Sequence, residues 1–411
     1  MSDPFTQTTS VGWLSRIGSS IKGVAIGGVL VLLAVIVLFW NEGRSVHRAR
    51  ALEEGRGAVR SASIDTVDPA NEGKLIYLSG RAEAKGSLRD AQFSVEVPHA
   101  LRLRRAVEMF QWNQDSKTET KQKLGGGEER VTTYSYKTVW SDALLDSSDY
   151  RVTGHANPTR KPFPTQVWNA GDATLGQFQV NDLILNELAP QAVVVPTVAA
   201  IAATQSTTAP AMQLAATSPT TSPTTSAATR SSGLQVADGM LYLADPAKPA
   251  VGDIRIAFTS VPAGPISLIA KQVGSTFASY AAKSGELLLV ESGTVSADGM
   301  WTHAETANRT LTWILRAGGF AVLVIGFGMI FAPLVVVADV VPFIGSIVGA
   351  GTSVAAIIVA IPVWCITVGI AWLFYRPLLG VALLAVAIAV PVVFLRMRKG
   401  KRAMPASVAV T

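Results

Sequence analysis

The chain has 411 residues, of which 49% are hydrophobic and only 16% charged, with mean hydropathy +0.35 and a net charge of +6. That balance fits an integral membrane protein better than a soluble one, and in such a protein a basic excess often sits beside anionic headgroups; no basic stripe of the kind that grips nucleic acid is obvious. One cysteine, Cys365, excludes an internal disulfide and a thiolate metal site.

Residues 1–20 form a cytosolic N-terminal segment. Val11, Leu14, Ile17 and Ile21 fall at helical spacing beside Trp13, with Ser15, Arg16, Ser19, Ser20 and Lys22 on the other face. This reads either as an amphipathic helix on the membrane surface or as an early start of the first span. Residues 21–40 are apolar and long enough to cross about 30 Å of hydrocarbon. No small-residue cleavage pattern follows, so they read as an uncleaved anchor.

Residues 41–188 are the first part of a β-rich domain. A helix leaves the membrane to about Arg60, and strands follow at Lys74–Gly80 and Phe93–Val97. Leu101–Trp112 alternates as a long strand, Gly125-Gly126-Gly127 is a turn, and Val131–Val139 returns, giving a hairpin from about Val107 to Trp140. Residues 189–232 are Ala, Thr, Ser and Pro with one charge, Arg230, and read as a disordered insert. The second β-rich part, 233–310, carries strands at Gly239–Leu243, Asp253–Phe258, Pro265–Val273 and Gly285–Glu291. Whether the two parts share a sheet is left open by sequence.

Three further spans follow at 314–337, 347–374 and 378–395, then a basic cytosolic tail at 396–411. Four spans put both termini on one side. The tail Arg396–Arg402 favours the cytosol, although Arg44, Arg48, Arg50, Arg56 and Arg60 argue the other way. The expected fold class is a membrane protein with four transmembrane helices and a large β-rich α+β extracytoplasmic domain between helices 1 and 2.

Pro333, Pro362 and Pro391 lie inside spans and are expected to kink them, or are simply the prolines that membrane helices tolerate. Gly23, Gly27, Gly345 and Gly349 have the small-x-x-x-small spacing that lets helices approach closely. Arg102, Arg104 and Arg105 form a basic cluster that suits headgroups or an acidic partner, or else the solvated face of an edge strand. Trp112, Trp140 and Trp168 read as core aromatics in preference to a ligand groove. His47, His99, His155 and His303 make no metal spacing, and no nucleophile elbow or phosphate loop occurs. No catalytic residue, cofactor site or metal site is expected.

Several segments, in this order, carry a family resemblance: Asn41-Glu42-Gly43-Arg44, Asn71-Glu72-Gly73, Leu101 to Trp112, Tyr134-Ser135-Tyr136 with Trp140, Gly154-His155 with Asn157-Pro158, Gly252 to Arg255, and Leu373 to Leu378. The chain resembles the LUMA family, also called the transmembrane protein 43 family. The resemblance implies four membrane helices with the large domain between the first two, in the lumen of the endoplasmic reticulum or inner nuclear membrane of animals. The Ala, Gly and Val richness suits a bacterial member, with the domain in the periplasm. The family implies a non-enzymatic scaffold that self-associates and organises membrane protein complexes. Its partners would be the lipid bilayer, a homo-oligomer and other membrane proteins, with no nucleic acid and no cofactor. A membrane-anchored sensor or lipid-binding module signalling through kinked helices is the alternative.

Overall fold

A computed structural model describes residues 5–195, 234–378 and 380–381. In chain order it begins with β1 (Phe5–Val11), α1 (Trp13–Ala58), β2 (Arg60–Ser61), β3 (Leu75–Glu83), β4 (Ser87–Asp90) and β5 (Val95–Pro98). The hairpin β6 (Ala100–Gln122) and β7 (Glu128–Ser141) follows, then β8 (Gln166–Asn169), β9 (Thr174–Leu175), β10 (Phe178–Gln179), α2 (Asp182–Glu187) and β11 (Ala192–Val194). After the insert come β12 (Gln235–Ala237), β13 (Met240–Tyr242), β14 (Ile254–Pro262), β15 (Gly264–Val273), β16 (Thr276–Ala278), β17 (Tyr280–Ala282), β18 (Gly285–Leu287) and β19 (Leu289–Ser292). Two long helices end the described chain, α3 (Ala297–Ala338) and α4 (Pro342–Tyr375).

The two β-rich parts are one domain. Strand β14, from the second part, pairs antiparallel with β6 from the first, and β15 pairs with β3. Each main sheet therefore joins strands from both sides of the insert, which a sequence with no long-range signal could not reveal. Ile76, Leu78, Leu101, Leu175, Phe178 and Leu268 bury one core, and Phe93, Leu103, Val107, Ile256 and Phe258 another. The C-terminal half of α1 is docked onto this domain through Ala51 and Leu52, which pack with Leu75, Ile269 and the fully buried Trp301 of α3.

Among the described residues three helices, α1, α3 and α4, are long and apolar enough to cross a membrane. The fourth span, 378–395, and Pro391 fall largely outside the described residues, as does most of the Ala/Thr/Ser/Pro insert. Helix α3 continues through Pro333 and α4 through Pro362. The α1–α3 contact is built on small residues. A β-carbon on Gly27 would lie 2.6 Å from the Gly326 carbonyl oxygen, and one on Gly319 would lie 2.6 Å from Leu38. Leu38, Ala34, Leu323 and Ala360 fill the seam between the three helices.

The helix of the first span starts early, at Trp13, and runs unbroken, which is the second of the two sequence readings. Ahead of it Phe5–Val11 is a strand that the sequence did not mark, paired residue by residue with β7 from Phe5↔Tyr134 to Val11↔Glu128. The cause is the hairpin, which is far longer than its apolar alternation shows. Strand β6 extends 23 residues, and its polar outer half, Asn113 to Gln122, is held by pairing alone. From Phe110 to Gln122 it advances about 40 Å at a strand's rise. Helix α1 advances about 39 Å between Glu42 and Arg16. The arm thus runs the length of the apolar stretch, and its tip meets the far ends of α1 and α3.

Candidate functional site

Polar side chains gather at both ends of the helix bundle. At the end nearest the domain, Asn41-Glu42-Gly43-Arg44 meet residues of α3 and α4. Glu42 is 2% exposed and accepts two hydrogen bonds from Arg316 of α3, Nε to Oε1 at 2.6 Å and a terminal nitrogen to Oε2 at 2.8 Å. Trp372 of α4 donates its indole N–H to the same carboxylate at 2.9 Å. The Arg316 guanidinium also lies over the rings of Trp313 (4.8 Å) and Trp372 (5.7 Å), and Trp364 donates to the Arg316 carbonyl at 3.3 Å. Such a bidentate pair, with aromatic faces covering the cation, satisfies two charges that are largely withdrawn from solvent.

The rest of the motif completes the clamp. Asn41 donates to the Thr312 carbonyl at 3.2 Å, and Arg44 donates to Asn308 at 3.1 Å, to Thr312 at 3.1 Å and to Asn41 at 3.3 Å. Gly43 lets the Tyr375 ring against the helix: a β-carbon there would fall 2.7 Å from its Cζ. Arg50 donates to the Tyr375 carbonyl at 2.6 Å. The sequence identified Asn41–Arg44 and Leu373–Leu378 as family segments; the structure brings them together on one surface.

The opposite end carries a second clamp, which sequence reasoning missed. Arg16 lies 3.0 Å from Glu128 at the base of the hairpin turn and 2.5 Å from Asp339 at the end of α3, and it donates to the Gly126 carbonyl at 2.6 Å. All three side chains are nearly dry, with relative side-chain exposures of 8%, 5% and 0%. Trp13 donates to the Val336 carbonyl at 3.0 Å, and its ring sits on Gly126, whose φ of +81° favours glycine. The only sequence clue was two ionisable residues, Arg16 and Asp339, flanking apolar runs and a third, Glu128, after a glycine turn, and nothing in their spacing links them.

Of the glycines singled out, Gly27 lies in the α1–α3 contact, whereas a β-carbon on Gly23 would meet nothing within 4 Å. Gly345 packs on the second clamp: its β-carbon would sit 1.8 Å from Asp339 Oδ1, so a side chain is excluded. A β-carbon on Gly349 would make ordinary contact with Val335 at 3.6 Å.

The basic cluster divides. Arg105 is 1% exposed, which removes it from any headgroup or partner surface. It pairs with Asp90 at 2.7 Å, donates to Gln92, Gln166 and the Pro164 carbonyl, and stacks on Phe93 and Trp168. Arg102 donates to the Asn186 and Leu188 carbonyls at the end of α2, a favourable place for a cation. Arg104 is partly exposed beside it. The edge-strand reading is also corrected: β6 at this point pairs with β14 on one side and β8 on the other. Trp112 is part of an aromatic group, with His155 stacked at 4.1 Å on Tyr136 and edge-on at 4.4 Å to Trp112. Asn157 pins this loop by accepting from the Trp112 N–H at 2.7 Å and donating to its carbonyl at 2.8 Å. Among the described residues, no three His, Cys, Asp or Glu side chains gather as a metal site.

Three apolar helices, joined to one another by the buried pairs Glu42–Arg316 and Arg16–Asp339 and to a β-rich domain by Arg16–Glu128, define an integral membrane protein. Residues 109–377 match the family model described as Transmembrane protein 43, and the chain belongs to that family. It is 29% identical over 406 residues to Transmembrane protein 43 of Mus musculus, covering 96% of this chain and 94% of the mouse protein. The Homo sapiens protein is 28% identical, with 94% and 92% covered. The Drosophila melanogaster homolog is 24% identical, with 88% and 91% covered. No solved structure matches.

Proposed function

We propose that this chain is a non-enzymatic membrane scaffold that self-associates and organises membrane protein complexes. The carrying observation is how its buried charges are used. Glu42 and Arg316, and Arg16 with Glu128 and Asp339, are spent on one another across separate elements. Charges inside a membrane bundle ordinarily mark a transport path; here they fix α1, α3, α4 and the hairpin in one relative position, the requirement of a rigid platform. In this reading a fourth helix follows α4 and the domain is extracytoplasmic, in the endoplasmic reticulum lumen or the periplasm according to the source. The test is native mass after gentle extraction from the protein's own membrane. Several copies or fixed protein partners support the scaffold, and a single chain alone refutes it.

One observation favours the lipid-binding alternative. A cavity of about 220 Å³ beside the second clamp has polar walls at Arg16, Ser19 and Arg130 and apolar walls at Met329, Ala332 and Val336. A phospholipid retained stoichiometrically by a single chain, and lost on replacing Ala332 with Trp, would move the reading to that class.

A further inference from the structure

The projecting arm is a ribbon of three strands in the order β1-β7-β6. Its two outer strands run in the same direction, because each is antiparallel to β7. Among the described residues both outer edges are open. On β6, Phe110 turns its N–H and C=O outward to Asp253 and Gly252, and Trp112 turns its own to Asn157. Alternation then points the outward backbone groups to Ser116, Thr118, Thr120 and Gln122. On β1 the same alternation through the register points Thr6, Thr8 and Ser10 outward. None of these seven backbone positions finds a partner among the described residues. Strand β1, Phe-Thr-Gln-Thr-Thr-Ser-Val, carries no charge, proline or bulge of the kind that guards a free edge.

The two faces of the ribbon differ. The face bearing Glu128 and Arg130 turns to α1 and α3, where both residues line the cavity beside Arg16. Period two puts Asp115, Lys117, Glu119, Lys121, Glu129 and Lys137 on the opposite face. Lys117 and Glu119 there are 80% and 60% exposed. A charged sheet face with open edges, lying beside an apolar bundle, is incompatible with lipid, where backbone groups must be paired and strands survive only in closed barrels.

We propose that β1 of one copy pairs in parallel with the outer edge of β6 in the next, so that the arms of several copies close into one barrel. The partner is a second copy of this chain, which rests on the self-associating reading above. Three features of the ribbon fit that occupant. Its two open edges run in the same direction, as any cyclic repeat demands, and such head-to-tail contacts close into rings. Outward Thr8 shares a sheet face with Lys117, Glu119 and Lys121; in parallel pairing an outward residue lies opposite an inward one on that face, bonding its two neighbours. Closure also puts the helices outside, against lipid, and the charged face inside, lining a polar lumen. The strand number is three per copy.

Disulfide trapping in native membranes tests this. In a Cys365→Ser background, Thr8→Cys is combined in turn with Lys117→Cys, Glu119→Cys and Lys121→Cys, and mild oxidation is applied. The expected result is a ladder of dimer, trimer and higher species from one pairing, ending at the mass of a closed ring. Each single-cysteine variant stays a single chain. Crosslinking of Thr8→Cys alone, only to dimers, would show a two-fold β1–β1 edge and overturn the ring. No ladder from any pairing, with native mass still showing several copies, overturns the interface and leaves the scaffold standing. A native mass of one chain overturns both. Thr8→Pro removes an outward N–H without touching the bonds to β7, and is expected to reduce the assembly to single chains.

Discussion

The Glu42–Arg316 pair offers the sharpest energetic test. Glu42→Gln keeps the shape and the acceptor for Trp372 but removes the charge. The guanidinium of Arg316 then remains 2.6–2.8 Å from a neutral amide, with its side chain only 13% exposed. Breaking a buried pair by deleting one charge costs about 3–5 kcal/mol, because the survivor is left uncompensated out of water. At about 1.4 kcal/mol per factor of ten, that is roughly two to three and a half powers of ten in the folded population. The assay is unfolding in mixed micelles against increasing dodecyl sulfate, comparing Glu42→Gln, Arg316→Met and the double variant Glu42→Leu/Arg316→Met. The double variant is expected to be more stable than either single one, since replacing both charges leaves no uncompensated charge and only the Trp372 N–H without its acceptor. A loss below about 1 kcal/mol for Glu42→Gln, or a double variant no better than the singles, would refute the buried-pair argument.

Other variants test other contacts. Arg16→Met leaves the buried Asp339 without its cation and Glu128 with Arg130 alone, and is expected to free the hairpin tip; protease cleavage near Gly125 should accelerate about tenfold or more while the domain core stays protected. Gly326→Leu forces α1 and α3 apart at the Gly27 carbonyl and is expected to destabilise the bundle by about 1–3 kcal/mol, as overpacking does, read in the same micelle titration. Arg105→Leu strands Asp90 in the domain and is expected to cost about 3–5 kcal/mol. Arg104→Leu, on the partly exposed face, should change stability by less than about 0.5 kcal/mol. Equal losses for the two arginines would contradict the separation drawn between them.

What could be read from sequence was whatever repeats along the chain. Apolar runs of about twenty residues declare helices in a bilayer, because every backbone group must be paired locally there. Alternation declared the strands at Leu101–Trp112 and Asp253–Phe258, since one side of each is buried in the domain. Where burial stops, the signal stops. The outer half of β6 and β1 between Phe5 and Val11 are polar on both faces, so no period marks them, and pairing with β7 alone makes them strands. The same limit hid the sites. Asn41–Arg44 stood out as a segment, but its partners Asn308, Thr312, Arg316 and Trp372 lie more than 260 residues away. A charge beside an apolar run has the same sequence appearance whether it meets water or a counter-ion. Only the packing of α3 and α4 against α1 removes the water and turns Glu42, Arg16 and Asp339 into clamps; only the pairing of β14 with β6 makes one domain from two halves.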